Sequence, residues 1–158
     1  MGVLKCIMQN PELEEKIVDS CNERRSRCML KLDGMNEYII LKGERLCSDQ
    51  KICDCFVFIE EVGLEIVALV ELKSRSVHAS EIEEKLENSL KWAIDILDDC
   101  GVGVSDVKIG LIVLAKNWRT VEHKKIRALV IKIRGMKEGI ITGKCGDSIE
   151  KLISRRLC

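Results

Sequence analysis

The run Leu64–Lys73, LEIVALVELK, constrains the fold more than any other stretch of the chain. Its middle is apolar at every position, so neither face of a strand built from it tolerates water, and it belongs inside a sheet covered on both sides. The run nevertheless ends by placing a carboxylate and an ammonium two residues apart. Successive strand side chains point to opposite faces, so Glu71 and Lys73 share one face while Val70 and Leu72 share the other. Two charges are thus aimed at one spot, where charge is costly without partners.

The tripeptide acid-any-Lys is common and carries nothing alone. It occurs six times here, at Glu14, Asp49, Glu71, Glu83, Asp106 and Glu122, and only the Glu71 copy sits at the end of an apolar strand. The preceding segment Ile52 to Glu60 reads as a second strand, joined to the first through Glu61-Val62-Gly63. Counting outward from that turn, partner numbers sum to about 125, which sets Asp54 opposite residue 71 to within one or two positions. Aspartate is disfavoured in such an apolar strand. Two carboxylates within reach of one divalent cation follow from the count.

The other elements alternate. Asn10-Pro11-Glu12 is a helix start, and Leu13, Ile17 and Cys21 follow at helical spacing, predicting a helix to about Arg24. Glu14 falls within its apolar arc, so an acid points inward; it also reads as a first-turn acid favoured by the helix dipole. Cys28 to Leu32 and Tyr38 to Leu41 read as short strands around Asp33-Gly34. Ser80 with Glu83 forms a capping box for a long amphipathic helix ending near Cys100-Gly101. Lys108 to Ala115 and Ala128 to Arg134 read as strands, with a helical turn over Val121 to Arg127 between them, and Asp147 to Leu157 as a closing helix. The class is α/β: a mixed central sheet, a meander followed by a helical crossover, in one domain over residues 1–158.

A chain 46% hydrophobic and 33% charged is a globular balance. It has no apolar run of the roughly 18 residues a membrane span needs, and its start lacks the pattern of a secretory signal; no membrane and a cytoplasmic setting are expected. The nine cysteines show no CxxC spacing. They read mainly as buried small hydrophobes, with disulfides open for a hyperthermophile and a metal cluster unsupported. The net charge of zero hides an asymmetry: residues 1–100 carry 13 Lys and Arg against 21 Asp and Glu, and residues 101–158 carry 13 against 5. The window Lys116 to Arg134 holds seven basic residues against Glu122 alone, suiting a polyanionic partner or an ordinary solvated face.

A helix bearing an acid, a meander, an Asp on one strand, acid-x-Lys on the next, then a helix and a strand: this order over residues 10–115 resembles the PD-(D/E)xK, or restriction-endonuclease-like, nucleases, and among them the small archaeal Holliday-junction-resolvase type. Asp54 stands at the family's Asp, Glu71 and Lys73 at its acid-x-Lys and Glu14 at its helix acid; Cys53 stands where many members have proline. The resemblance implies a restriction-endonuclease-like core of α-β-β-β-α-β order. It implies a metal-dependent endonuclease that hydrolyses phosphodiesters of DNA, branched or structured DNA included, with RNA also compatible. Asp54, Glu71 and Glu14 would hold Mg²⁺ or Mn²⁺ with help from the Leu72 carbonyl, Lys73 would serve the attacking water and the phosphate, and the products would carry 5′ phosphates. Arg75 and Lys85 are expected to contact nucleic acid, with Ser89 a further polar candidate, and a homodimer is expected because two strands need two sites. The alternatives are a nucleic-acid-binding or assembly protein of the same fold without chemistry, and a structural ion pair of Glu71 with Lys73. His78 and His123 read as solvated, and Trp92 and Trp118 as packing residues.

Overall fold

The computed structural model describes residues 2–23, 25, 27–73 and 77–157, with side chains up to residue 153. Arg75 lies outside the described residues. In chain order the elements are α1 (Val3–Gln9), α2 (Pro11–Glu14), β1 (Ile17–Val18), β2 (Cys21–Glu23), β3 (Cys28–Leu30), β4 (Glu37–Lys42), α3 (Gly43–Leu46), β5 (Cys55–Glu61), β6 (Leu64–Lys73), α4 (Ala79–Asp99), β7 (Val107–Ala115), α5 (Thr120–Ala128), β8 (Val130–Ile133), β9 (Met136–Lys144) and α6 (Ile149–Leu157).

Seven strands form a mixed sheet in the order β1-β4-β5-β6-β7-β9-β8, and β2 and β3 form a separate ribbon. Strands β4, β5 and β6 are an antiparallel meander; β7 joins β6 in parallel after the α4 crossover, and β9 joins β7 in parallel. The molecule is therefore α/β with a mixed central sheet and flanking helices. Every β5–β6 pair has the expected sum, Cys55 with Val70 and Phe56 with Leu69 among them.

Alternation divides the core into two. Leu41, Phe56, Phe58, Val67, Leu69 and Val113 face α1, α4 and α5, whereas Ile40, Val57, Ala68, Val70, Leu72 and Leu114 face the β2–β3 ribbon and α6. Since β6 is covered on both sides, Val67 through Val70 are at most 1% exposed. Its odd-numbered face runs Val67, Leu69, Glu71, Lys73, so the charged pair is turned toward α4.

Several expectations are corrected. The first helix does not run from Asn10 to Arg24: α2 stops at Glu14, and Ile17 and Val18 pair with Leu41 and Ile40. β-Branched residues suit that edge, and the pairing outweighs the helical spacing. The strands flanking Asp33-Gly34 do not pair with each other; β3 pairs with β2, and β4 with β1 and β5. Ser80 is not a cap. Helix α4 begins at Ala79, and the Ala79 amide donates instead to Glu122 Oε2 of α5 (3.3 Å). Strand β9 was not anticipated.

Among the described residues six cysteines form disulfides, Cys6–Cys100, Cys21–Cys55 and Cys28–Cys145, with Cα–Cα distances of 5.8, 5.9 and 4.8 Å. Each ties the first 30 residues to the rest of the chain, so these cysteines are cross-links rather than small hydrophobes. Such bonds belong to an oxidising compartment or a hyperthermophile's interior. Cys47 and Cys53 are free thiols. Among the described residues no helix is long and apolar enough to cross a membrane.

Candidate active site

Asp54 ends an irregular stretch just before β5 and is held from three sides. Its carbonyl accepts the Gly43 amide (2.8 Å), its carboxylate Oδ2 accepts the Leu72 amide (2.7 Å), and the preceding Cys53 amide donates to Ser89 Oγ (2.7 Å). Gly43 is required because a Cβ there would collide with the Cys53 carbonyl. Ser89 is fully buried and its hydroxyl donates a hydrogen bond to the Lys85 carbonyl (2.6 Å). Main chain and α4 together fix the aspartate against the end of β6.

Glu71 is only 1% exposed. Both neighbouring ammonium groups address one of its oxygens: Lys85 Nζ donates to Oε2 at 2.7 Å, and Lys73 Nζ stands 3.5 Å from the same atom. Glu81, one helical turn before Lys85, accepts from Lys73 (3.1 Å) and Lys85 (3.3 Å). Glu71 Oε1 is buried and receives no hydrogen bond. The Asp54 carboxyl lies close enough to Glu71 to feel its charge.

The electrostatics follow. Burial, and then the charge of Glu71, push the Asp54 carboxyl up to about 7. Lys73 and Lys85 hold Glu81 below the ordinary carboxylate range. Burial alone would lower Lys85, but Glu71 and Glu81 outweigh it and hold the ammonium above its usual value. Burial raises the Cys53 thiol far above its usual value, so it is no nucleophile. Three carboxylates against two ammonium groups leave one negative charge when Asp54 is ionised. A proton on Asp54 or a bound cation cancels it.

The chemistry of this donor set fits a hard divalent cation. Asp54 and Glu71 supply carboxylate oxygens, one of them an orphaned buried acceptor. Among the described residues no group of three or more acidic, histidine or cysteine side chains is gathered for a metal. Main-chain oxygen and water would therefore complete the shell.

The structure brings Asp54, Glu71, Lys73 and Lys85 together. It does not bring Glu14, which is exposed on the short α2 because the helix that was to turn it inward ends there. Lys85 faces Glu71, so its place is inside the cluster rather than on an outer nucleic-acid surface. Ser89 acts through the Cys53 amide. Sequence reasoning missed Glu81 and Gly43; the only signal for Glu81 was its four-residue spacing from Lys85. His78 is exposed, whereas His123 stacks on Trp118 at 4.5 Å between ring centroids. Trp92 donates to Gln50 Oε1 (3.0 Å). An open groove of about 320 Å³ reaches Asp54 past Lys42, Glu44, Ser48 and Gln50.

Among known proteins, no family model, no curated protein and no solved structure matches the chain.

Proposed function

We propose that the protein is a divalent-metal-dependent nuclease that hydrolyses phosphodiester bonds in DNA, branched or structured DNA included. The observation that carries this reading is the meeting of Asp54 and Glu71 beside Lys73, with Glu71 Oε1 buried and without a donor. Asp54 and Glu71 would hold Mg²⁺ or Mn²⁺, with the Leu72 carbonyl a candidate third oxygen. When bound, the ion supplies Lewis acidity that lowers the pKa of water and polarises the phosphate. Glu81 steadies the Lys73 ammonium, whose side chain stays 19% exposed and so open to substrate. From there Lys73 orients the attacking water and neutralises charge gathering on the phosphate oxygens. Lys85 compensates the Glu71 carboxylate through its 2.7 Å ion pair. Cutting both strands of a duplex would need two copies of the site, which is why a homodimer belongs to the proposal.

A second reading is favoured by one observation. The 2.7 Å contact from Lys85 neutralises Glu71 internally, as in a nucleic-acid-binding or assembly protein that has the cluster without the chemistry. Incubating duplex, flapped and four-way-junction DNA with Mg²⁺ or Mn²⁺ separates the two. Cleavage that falls by at least about a hundredfold in Asp54→Asn and Lys73→Ala is expected. Binding without cleavage of any substrate in either metal would leave only the second reading.

A further inference from the structure

The basic half of the chain meets the candidate site at one edge of the sheet. Strands β6, β7 and β9 are parallel, and their registers set Lys73 beside Ala115 and Ala115 beside Lys144. The Lys116 amide donates to the Lys73 carbonyl (3.1 Å), and the Cys145 amide to the Ala115 carbonyl (3.2 Å). Lysines 73, 116 and 144 therefore emerge from three adjacent strand ends, spaced by about 4.8 Å per strand. Ligands of open α/β sheets gather at this carboxyl edge.

The loop that follows β7 is pinned there. Trp118 Nε1 donates to the Gly143 carbonyl (2.8 Å), and Trp118 stacks on His123, whose Nε2 shares a 2.8 Å hydrogen bond with Thr142 Oγ1. The loop thus holds Lys116 and Arg119 in place beside β9, and both side chains are exposed, as is Lys144. Among the described residues none of these three cations pairs with a carboxylate. The two acids on hand are spent: Asp147 accepts the Lys144 amide (2.9 Å), and Glu122 takes the Ala79 amide and Lys125. A preorganised row of unpaired cations that runs up to Lys73 matches the regular anionic charge of a nucleic-acid backbone.

We infer that Lys116, Arg119 and Lys144 form a phosphate-binding rim that docks the DNA backbone and leads it to Lys73. This inference rests on the nuclease reading for its direction, but its test does not. Binding of a fluorescent 30-base-pair duplex is measured by anisotropy in EDTA, where no metal-dependent cleavage enters, across a series of salt concentrations. The triple variant Lys116→Gln, Arg119→Gln, Lys144→Gln is expected to lose at least about tenfold in affinity and to flatten the slope of log K against log salt by about 2.7, or 0.9 per lost phosphate contact. The charge-matched control Lys108→Gln, Lys132→Gln, Lys137→Gln removes three exposed lysines, two of them at the opposite ends of β7 and β9, and is expected to bind like the unaltered protein.

The variant Lys116→Arg, Arg119→Lys, Lys144→Arg keeps the charge and is expected to restore binding, which excludes misfolding as the cause. Equal losses in the rim and control variants would overturn the inference, as would a duplex that the unaltered protein does not bind. Hydrolysis of bis(4-nitrophenyl) phosphate by the unaltered protein with Mn²⁺ reports on the chemistry separately. A rim-dependent affinity with no hydrolysis leaves the rim standing and removes the nuclease.

Discussion

Lys85 Nζ stands 2.7 Å from Glu71 Oε2, and Lys73 Nζ stands 3.5 Å from that same oxygen. The two lysines are unequal: the helix residue compensates the buried carboxylate closely, and the strand residue is held more loosely. Removing Lys85 strands a charge inside the protein, whereas removing Lys73 leaves the shorter contact intact. Lys85→Ala is expected to cost about 3 kcal/mol of unfolding free energy and Lys73→Ala under about 1 kcal/mol. Urea unfolding in EDTA measures both, and equal costs would refute the inequality.

Asp54 makes the metal-free protein's stability pH-dependent. A carboxyl whose pKa rises on folding, here from 3.8 to about 7, binds its proton more tightly folded than unfolded. The associated stability is present below the unfolded value and lost as pH climbs through about 7. Asp54→Asn carries no such proton. Its melting temperature relative to the unaltered protein, in EDTA, is expected to rise steadily between about pH 4 and 7 and level off above pH 8. A difference that stays flat over that window would show that burial and Glu71 do not raise the Asp54 carboxyl in solution.

The legible part of the site was local. The tight turn at Gly63 and the register of β5 and β6 put Asp54, just before β5, against the end of β6, and Glu71 in an apolar strand advertised itself by its desolvation cost. Glu14 was misplaced because Leu13, Ile17 and Cys21 keep helical spacing, yet Ile17 pairs with Leu41 and Cys21 bonds to Cys55. Those are long-range constraints that no local period records. The disulfides were hidden for the same reason, since their partners lie 94, 34 and 117 residues apart. Strand β9 was invisible because Ile140 is its only buried residue, so no alternation marks it. Its role is geometric: a Cβ at Gly143 would press on Leu114 and Leu152 at 2.8 Å.

Metal should stabilise the fold through the orphaned oxygen. Ion bound only by the folded state adds RT ln(1 + [L]/Kd), about 2.7 kcal/mol at a hundredfold excess over Kd. For a chain of this length that corresponds to a rise of roughly 5 to 10 °C. Scanning calorimetry with Mn²⁺ is expected to show this rise in the unaltered protein and to lose it in Glu71→Gln. A rise that survives Glu71→Gln would place the ion elsewhere.

The disulfides separate stability from site geometry. In the chain-entropy picture, cross-linking across 94 residues restrains the unfolded chain by between about 4 and 5 kcal/mol, and across 34 by slightly under 4. Cys6–Cys100 joins α1 to the far end of α4, away from Lys85 and Glu81 in its first turns. Cys21–Cys55 grips the residue next to Asp54. Both Cys6→Ala, Cys100→Ala and Cys21→Ala, Cys55→Ala are therefore expected to lower the melting temperature by roughly 10 °C. Only the second should also weaken Mn²⁺ binding measured by calorimetry at 20 °C, because the main chain at Asp54 loses one of its tethers while the Gly43, Leu72 and Ser89 contacts must hold it alone. Equal Mn²⁺ affinities in the two variants would mean that those three hydrogen bonds suffice, and that the cross-link serves the fold without serving the site.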